Sequence, residues 1–299
     1  MASNTTDLAL DAIWSANRTW AETAAYYKRI IDAWSIRTLW LALAGAALAA
    51  VDQQIAPLAE HNNLFKAPGL LGALLIALAT YFTAQMLNSD NQKLWIRSRS
   101  AAESLKSVVY LYRASAAPFS GPDRASNAAQ RIQTVQEQVK DISPRQAAIK
   151  PIPSSAPLTV DQYITGRVDD QITWYQKRAL EFQTKAGQFR YAVIVLGVAS
   201  VALGAVATML AVSNWIAVIA TATTAISAYV KNRKYQDLIA LYASTATRLQ
   251  TLKATWAGSG KTDADKADRD AFIQRCEETM SAENGSWVAQ WSQQSASAS

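Results

Sequence analysis

Apolar residues along this chain form two kinds of run. The first kind is unbroken. Tyr191 to Val230 contains no Asp, Glu, Lys or Arg, and as a single helix it would reach about 60 Å, roughly twice a hydrocarbon core. Such a run crosses a bilayer, reverses and crosses back, with Ser213-Asn214 at its middle as the natural turn. An earlier pair repeats the plan: one span from about Arg37 to Leu58 with Asp52 at the interface, and one from Pro68 to about Leu87, joined by the polar loop Glu60 to Lys66.

The second kind of run is periodic. Leu10, Ile13, Asn17, Trp20, Ala24, Tyr27, Ile31 and Trp34 alternate spacings of three and four, a heptad seam with one polar member, Asn17. A seam of this kind buries against a helix of the same chain or of another copy, and both readings stand. Leu94 to Tyr112 keeps the same spacing, so the second span is expected to continue as a helical stalk ended by Gly121-Pro122. A short amphipathic helix with Ala128, Ile132, Val135 and Val139 on one face follows, then a linker marked by Pro144, Pro151, Pro153 and Pro157.

After the linker the plan starts again. Trp174 to Arg178 answers Tyr26 to Arg29, and the seam Val168, Ile172, Tyr175, Ala179, Phe182 answers the one through Trp20, Tyr27 and Trp34. Tyr235, Leu238, Tyr242, Leu249 and Trp256 form a second stalk, broken at Gly258-Ser259-Gly260. Asp263 is placed to cap a last helix with Ile273, Cys276, Met280, Glu283 and Trp287 on one face, so that Glu277 and Glu278 read as a solvated face. The chain therefore reads as an all-α membrane protein, four transmembrane helices in two hairpin repeats of parallel orientation with long cytosolic helical stalks. Its parts are a first repeat (1–120), a cytosolic helix and linker (121–160), a second repeat with a C-terminal helix (161–291) and a disordered tail (292–299).

Charge orients this scheme. Lys185 and Arg190 precede the long apolar run and Lys231, Arg233 and Lys234 follow it; Arg37, Lys93, Arg97 and Arg99 flank the earlier pair. Cations on these flanks place both termini and the linker in the cytoplasm of a plasma (inner) membrane. The formal charge of +6 is spread over segment ends rather than along one stripe, which points to anionic lipid and away from nucleic acid. Met1 to Asp11 carries no cation, so insertion is expected from the internal helices.

Catalytic chemistry finds little purchase. One cysteine, Cys276, and one histidine, His61, leave no disulfide, no Cys- or His-rich metal site and no triad. Gly260-Lys261-Thr262 imitates the end of a phosphate loop, but Thr255 stands where its first glycine belongs. No cofactor and no enzymatic activity are expected. Inside the spans the informative residues are small and weakly polar: Ala73, Ala77, Thr80 and Ala84; Gly197, Ser200, Gly204 and Thr208; Ala217, Thr221, Thr224 and Ala228. Such stripes serve either close helix packing or a narrow aqueous path. Together with the seam residues Asn17, Trp20, Tyr27, Trp34, Tyr175 and Phe182, they are the candidates for pore lining, helix packing and assembly into a homo-oligomer.

The aromatic entry Trp174 to Arg178, the two-span hairpin, the tyrosine-bearing stalk and the closing helix ending Glu283-Asn284-Gly285-Ser286-Trp287 resemble the SLATT family, two-transmembrane domains associated with SMODS nucleotidyltransferases and SLOG sensors in bacterial conflict systems. The resemblance spans about residues 20 to 115 and 165 to 290, as a tandem pair. It implies a pore-forming effector gated by a cytosolic activating protein or nucleotide signal. No sensor or nucleotide-synthesising domain accompanies these repeats, so that signal would come from elsewhere. The alternative is a non-conducting membrane scaffold whose cytosolic helices recruit partners.

Overall fold

A computed structural model describes residues 7–56, 67–86, 89–147, 156–210 and 213–296. Among them every regular element is helical: α1 (Leu8–Ile55), α2 (Ala67–Met86), α3 (Ser89–Arg113), α4 (Arg124–Gln138), α5 (Val160–Tyr163), a π-helical turn (Ile164–Val168), α6 (Asp169–Leu210), α7 (Ser213–Arg233), α8 (Tyr235–Gly258) and α9 (Lys266–Ala296). Among the described residues three stretches are long and apolar enough to cross a membrane: Leu8–Ile55, Ala67–Gln85 and Val160–Val206. The fourth expected span, α7, carries Asn214, Thr221, Thr223, Thr224 and Ser227 among its apolar residues and stands outside these three.

Several boundaries differ from the expected ones. Ser213 and Asn214 open α7 rather than forming the turn. The first stalk ends at Arg113, before Gly121-Pro122, where Ser115 takes a left-handed conformation with φ of 49°. At the other end α9 runs on to Ala296, into the segment expected as a tail. The loop Glu60 to Lys66, the junction at 87–88 and the linker prolines Pro151 and Pro153 lie outside the described residues.

The described residues divide into two compact units. One comprises those up to Lys28, from Ser89 to Ala179 and from Ala240 onward. Its centre is α3, whose two apolar faces are both covered. Val108, Val109 and Tyr112 pack with Leu10 and Ile13 of α1, Phe119 and Ala128. Ala101, Ala102 and Leu105 pack with Trp20 of α1 and with Val135, Val139 and Ile142 in and after α4. Both α4 and α9 lie against α3. The last helix thus completes a bundle around a helix of the first half, and Gln274 and Arg269 donate to the carbonyls of Ala117 (3.1 Å) and Ser115 (3.4 Å) in the turn after α3.

Helix starts in this unit are tied by carboxylates, one local and one distant. Asp7 accepts the N–H groups of Ala9 and Leu10 at the start of α1, and also the Tyr112 hydroxyl at 3.0 Å. Asp263, expected to cap the last helix, instead accepts the N–H of Val160 at 3.0 Å and so supports the start of α5. That start also has its own capping box, Thr159 with Gln162. The correction has a simple cause: α9 begins at Lys266, too far along for Asp263 to reach its first turn.

The second unit holds the described residues from Arg29 to Asn88 and from Leu180 to Ile239. It contains the apolar helices, and its large side chains are turned outward to a degree that would be ruinous in water: Leu70, Leu74, Tyr191, Val198 and Val201 are all exposed. A surface of this composition is solvated by lipid acyl chains.

Candidate functional site: the membrane hairpins and a buried ion pair

Within the second unit the first hairpin is closed by glycine. A Cβ placed on Gly45 of α1 would lie 2.7 Å from Ile76 Cγ1 and 2.9 Å from the Gly72 carbonyl oxygen of α2, and one on Gly72 would lie 2.9 Å from the Gly45 carbonyl oxygen. The two backbones touch, which only residues without side chains permit. Ala46, Ala50 and Ala79 are buried in the same hairpin. At its far end Asp52 accepts the N–H of Gly69 at 3.0 Å, in the first turn of α2, where helix N–H groups have no partner of their own. A Cβ on Gly69 would lie 2.6 Å from that carboxylate.

The second hairpin has no such lock. Gly197 and Gly204 of α6 are exposed, and a Cβ on either meets nothing within 4 Å. None of the most apolar stretch of this helix is buried. Ser200 is half-buried, Thr221, Thr224 and Ala228 of α7 are exposed, and the side chain of Thr208 lies outside the described residues. Thr80 and Ala84 of α2 are exposed as well. Thr80 and Thr221 donate their hydroxyls to the carbonyls of Ile76 (3.0 Å) and Ala217 (2.9 Å), one turn back in their own helices.

The seam residues all find neighbours in the chain. Asn17 is buried and donates to the Ala102 carbonyl at 2.6 Å, pinning α1 to α3. Trp20 is buried beside it, with Tyr27 against the same core. Trp34 stacks on Phe82 at 4.3 Å, Tyr175 contacts Tyr242 at 5.6 Å and Phe182 contacts Tyr235 at 5.6 Å. At Asn17 the intramolecular reading of the seam is the one the contacts follow.

The residue pair that periodicity missed lies in the first unit. Glu277, read as solvated, is buried and receives both Nε (3.0 Å) and Nη2 (3.0 Å) of Arg167, together with the Tyr163 hydroxyl (2.9 Å). The Arg167 guanidinium also lies over the Tyr110 ring at 4.5 Å. Burial opposes its charge, but the Glu277 carboxylate outweighs that and raises its pKa. Burial, then the same carboxylate, holds the Tyr163 phenol well above its usual range. Cys276 beside it is fully buried, and burial pushes its thiol up to about 12, so the thiol stays neutral in its packed position. Arg167 sits in the π-helical turn, whose extra residue per turn is what redirects a side chain at such a place. No stripe rule finds this pair, since Glu277 adjoins the apolar face of α9 by a single position.

Among the described residues no group of His, Cys, Asp or Glu is placed to hold a metal ion. Gly260, with φ of 66°, makes the turn between α8 and α9, and Lys261 pairs with Asp268 at 2.6 Å.

Two family models match the chain, one in each half. Residues 17–127 match a protein of unknown function, DUF4231, and residues 163–287 match the SMODS and SLOG-associating 2TM effector domain 1. No curated protein and no solved structure matches. The second match begins at Tyr163, in the buried cluster, and runs through both helices of the second hairpin to the last turns of α9. With its apolar helices facing outward, the chain is a membrane protein whose residues 163–287 are similar to the SMODS and SLOG-associating two-transmembrane effector domain.

Proposed function

We propose that the protein is a membrane effector that assembles through its second hairpin into a homo-oligomeric pore, with α7 as a fourth crossing helix and both termini in the cytoplasm. The observation that carries this reading is the pair of exposed glycines, Gly197 and Gly204. Glycine within a helix costs about 1 kcal/mol relative to alanine. In the first hairpin that cost is offset by a backbone contact; in the second no partner among the described residues offsets it. A helix from another copy is the natural occupant, and it would bring Thr221 and Thr224 toward a shared axis. Gating by a separate cytosolic protein or nucleotide signal would act through the helical unit.

One observation favours a non-conducting scaffold instead. Thr221 already satisfies its hydroxyl on Ala217, so it needs no water at that depth. Ion flux into liposomes holding this protein alone separates the two. Conduction through α7 predicts that Thr221→Leu with Thr224→Leu dewets the path and abolishes flux while insertion and subunit number persist. Unchanged flux with normal assembly would remove the threonines from the pore, and an absence of flux in the parent under every activating condition would favour the scaffold.

A further inference from the structure

One end of the second unit is assembled at a single level from four helices. Phe189 contacts Tyr229 at 5.3 Å and Phe182 contacts Tyr235, so Lys185 and Arg190 of α6 share a band with Lys231 of α7. The Asp32–Arg233 ion pair joins α1 to the same band, and the Trp34–Phe82 stack joins α2. Arg37 follows Asp32 by about one and a half helical turns.

Arg37, Lys185, Arg190 and Lys231 are exposed, and none makes an ion pair with a described acidic residue. Arg37 lies over the Trp34 ring at 5.0 Å. The acids of this end are few: Asp32 is engaged by Arg233, Glu181 has a partner of its own, and Asp237 opens α8. On the apolar side of the band α1 and α6 each present an aromatic ring, Trp40 (66% exposed) beyond Arg37 and Tyr191 (70%) beyond Arg190, while Tyr81 of α2 (57%) lies beside Phe82 within the band. Cations outside and amphipathic rings inside, at one level on several helices, match the order of phosphate and glycerol-acyl boundary in a lipid leaflet.

We propose that this band is a binding surface for anionic phospholipid headgroups, whose phosphates are held by Arg37, Lys185, Arg190 and Lys231. The four side chains lack acidic partners because the leaflet supplies them. The inference rests on the bilayer reading of the apolar helices and is independent of conduction.

Lipid retention by the purified full chain in neutral detergent, followed by native mass spectrometry, tests it. Phosphatidylglycerol and phosphatidylcholine of identical acyl chains serve as probes. The parent is expected to retain phosphatidylglycerol preferentially, and each cation removed is expected to lower that preference by about fivefold at low salt. The variant Arg37→Gln/Lys185→Gln/Arg190→Gln/Lys231→Gln should therefore retain both lipids alike. Equal retention by the parent, or a preference that survives in the variant, overturns the proposal. Displacement of phosphatidylglycerol by millimolar inorganic phosphate also overturns it, in favour of a soluble-anion site. Should the fourfold variant fail to fold, Arg190→Gln and Lys231→Gln singly must each weaken the preference, and no change in either one sinks it. Retention of neither lipid by the parent removes the bilayer reading itself, which sets that failure apart from failure of the headgroup surface.

Discussion

The two hairpins of the second unit spend their glycines differently. In the first, Gly45 and Gly72 bring α1 and α2 into backbone contact, and Asp52 fastens the far end through Gly69. In the second, Gly197 and Gly204 face open space. Small residues at helical spacing thus carry no fixed meaning. The same composition closes one pair of helices and leaves another with a free face, and what separates them is whether the facing helix also presents glycine at the crossing point. The first hairpin is complete in one copy of the chain; the second presents a surface.

The largest effect that sharpens this contrast lies outside both hairpins and calibrates it. Glu277→Ala leaves Arg167 buried without its counter-charge and Tyr163 without its acceptor, and is expected to cost about 3–5 kcal/mol. Thermal unfolding in detergent should show the loss in full, with the subunit number of any remaining folded protein unchanged. If Glu277→Ala unfolds like the parent, the ion pair is not a structural tie. Raised pH should act on the same cluster in the same direction. The Cys276 thiol is neutral in the fold up to about 12 but ionises near 9 when exposed. Its contribution is therefore whole below about 9 and lost as the pH climbs toward 12.

A smaller loss is expected in the first hairpin. Gly45→Ala and Gly72→Ala each push a methyl against backbone and should cost about 1–3 kcal/mol by overpacking. Melting temperature read alongside insertion checks this. Variants as stable as the parent would show that α1 and α2 do not touch at this crossing.

The smallest effect is the most discriminating because its sign is at stake. Gly197→Ala with Gly204→Ala is expected to stabilise a single copy by up to about 1 kcal/mol for each site through helix propensity alone. If another copy packs there, the added methyls should instead lower subunit number. Crosslinking in native membranes together with melting in detergent reads both quantities. A stabilised protein with unchanged assembly would make the second hairpin's free face a lipid face and nothing more.

Much of this was legible from residue order. Charge-free runs and the three-four seams placed the helices, because apolar length and periodicity are properties of consecutive residues. The resemblance carried by Trp174 to Arg178 and the closing helix agreed with the effector-domain match over 163–287. Boundaries were less legible. Ser213-Asn214 looked like a turn by polarity but opens a helix, where serine and asparagine are equally at home. Glu277 was misplaced because its burial depends on Arg167, more than a hundred positions away, and that arginine is aimed by a π-helical turn that no local pattern announces.

By itself the sequence determined that the chain is helical, that its unbroken apolar runs belong in a bilayer, that its cations gather at span ends, and that one cysteine and one histidine are too few for an intrachain disulfide or a Cys- or His-rich metal site. These follow from composition and spacing, which the chain carries wherever it folds. Only the tertiary structure decided that Asn17 is satisfied by Ala102, that Asp263 serves α5 rather than α9, that Glu277 is buried, and that Gly45 and Gly72 are locked while Gly197 and Gly204 are free. Each of these is a pairing between distant positions. Pairing is set by which surfaces meet once all helices compete for the same partners, and that competition is not written at any one position.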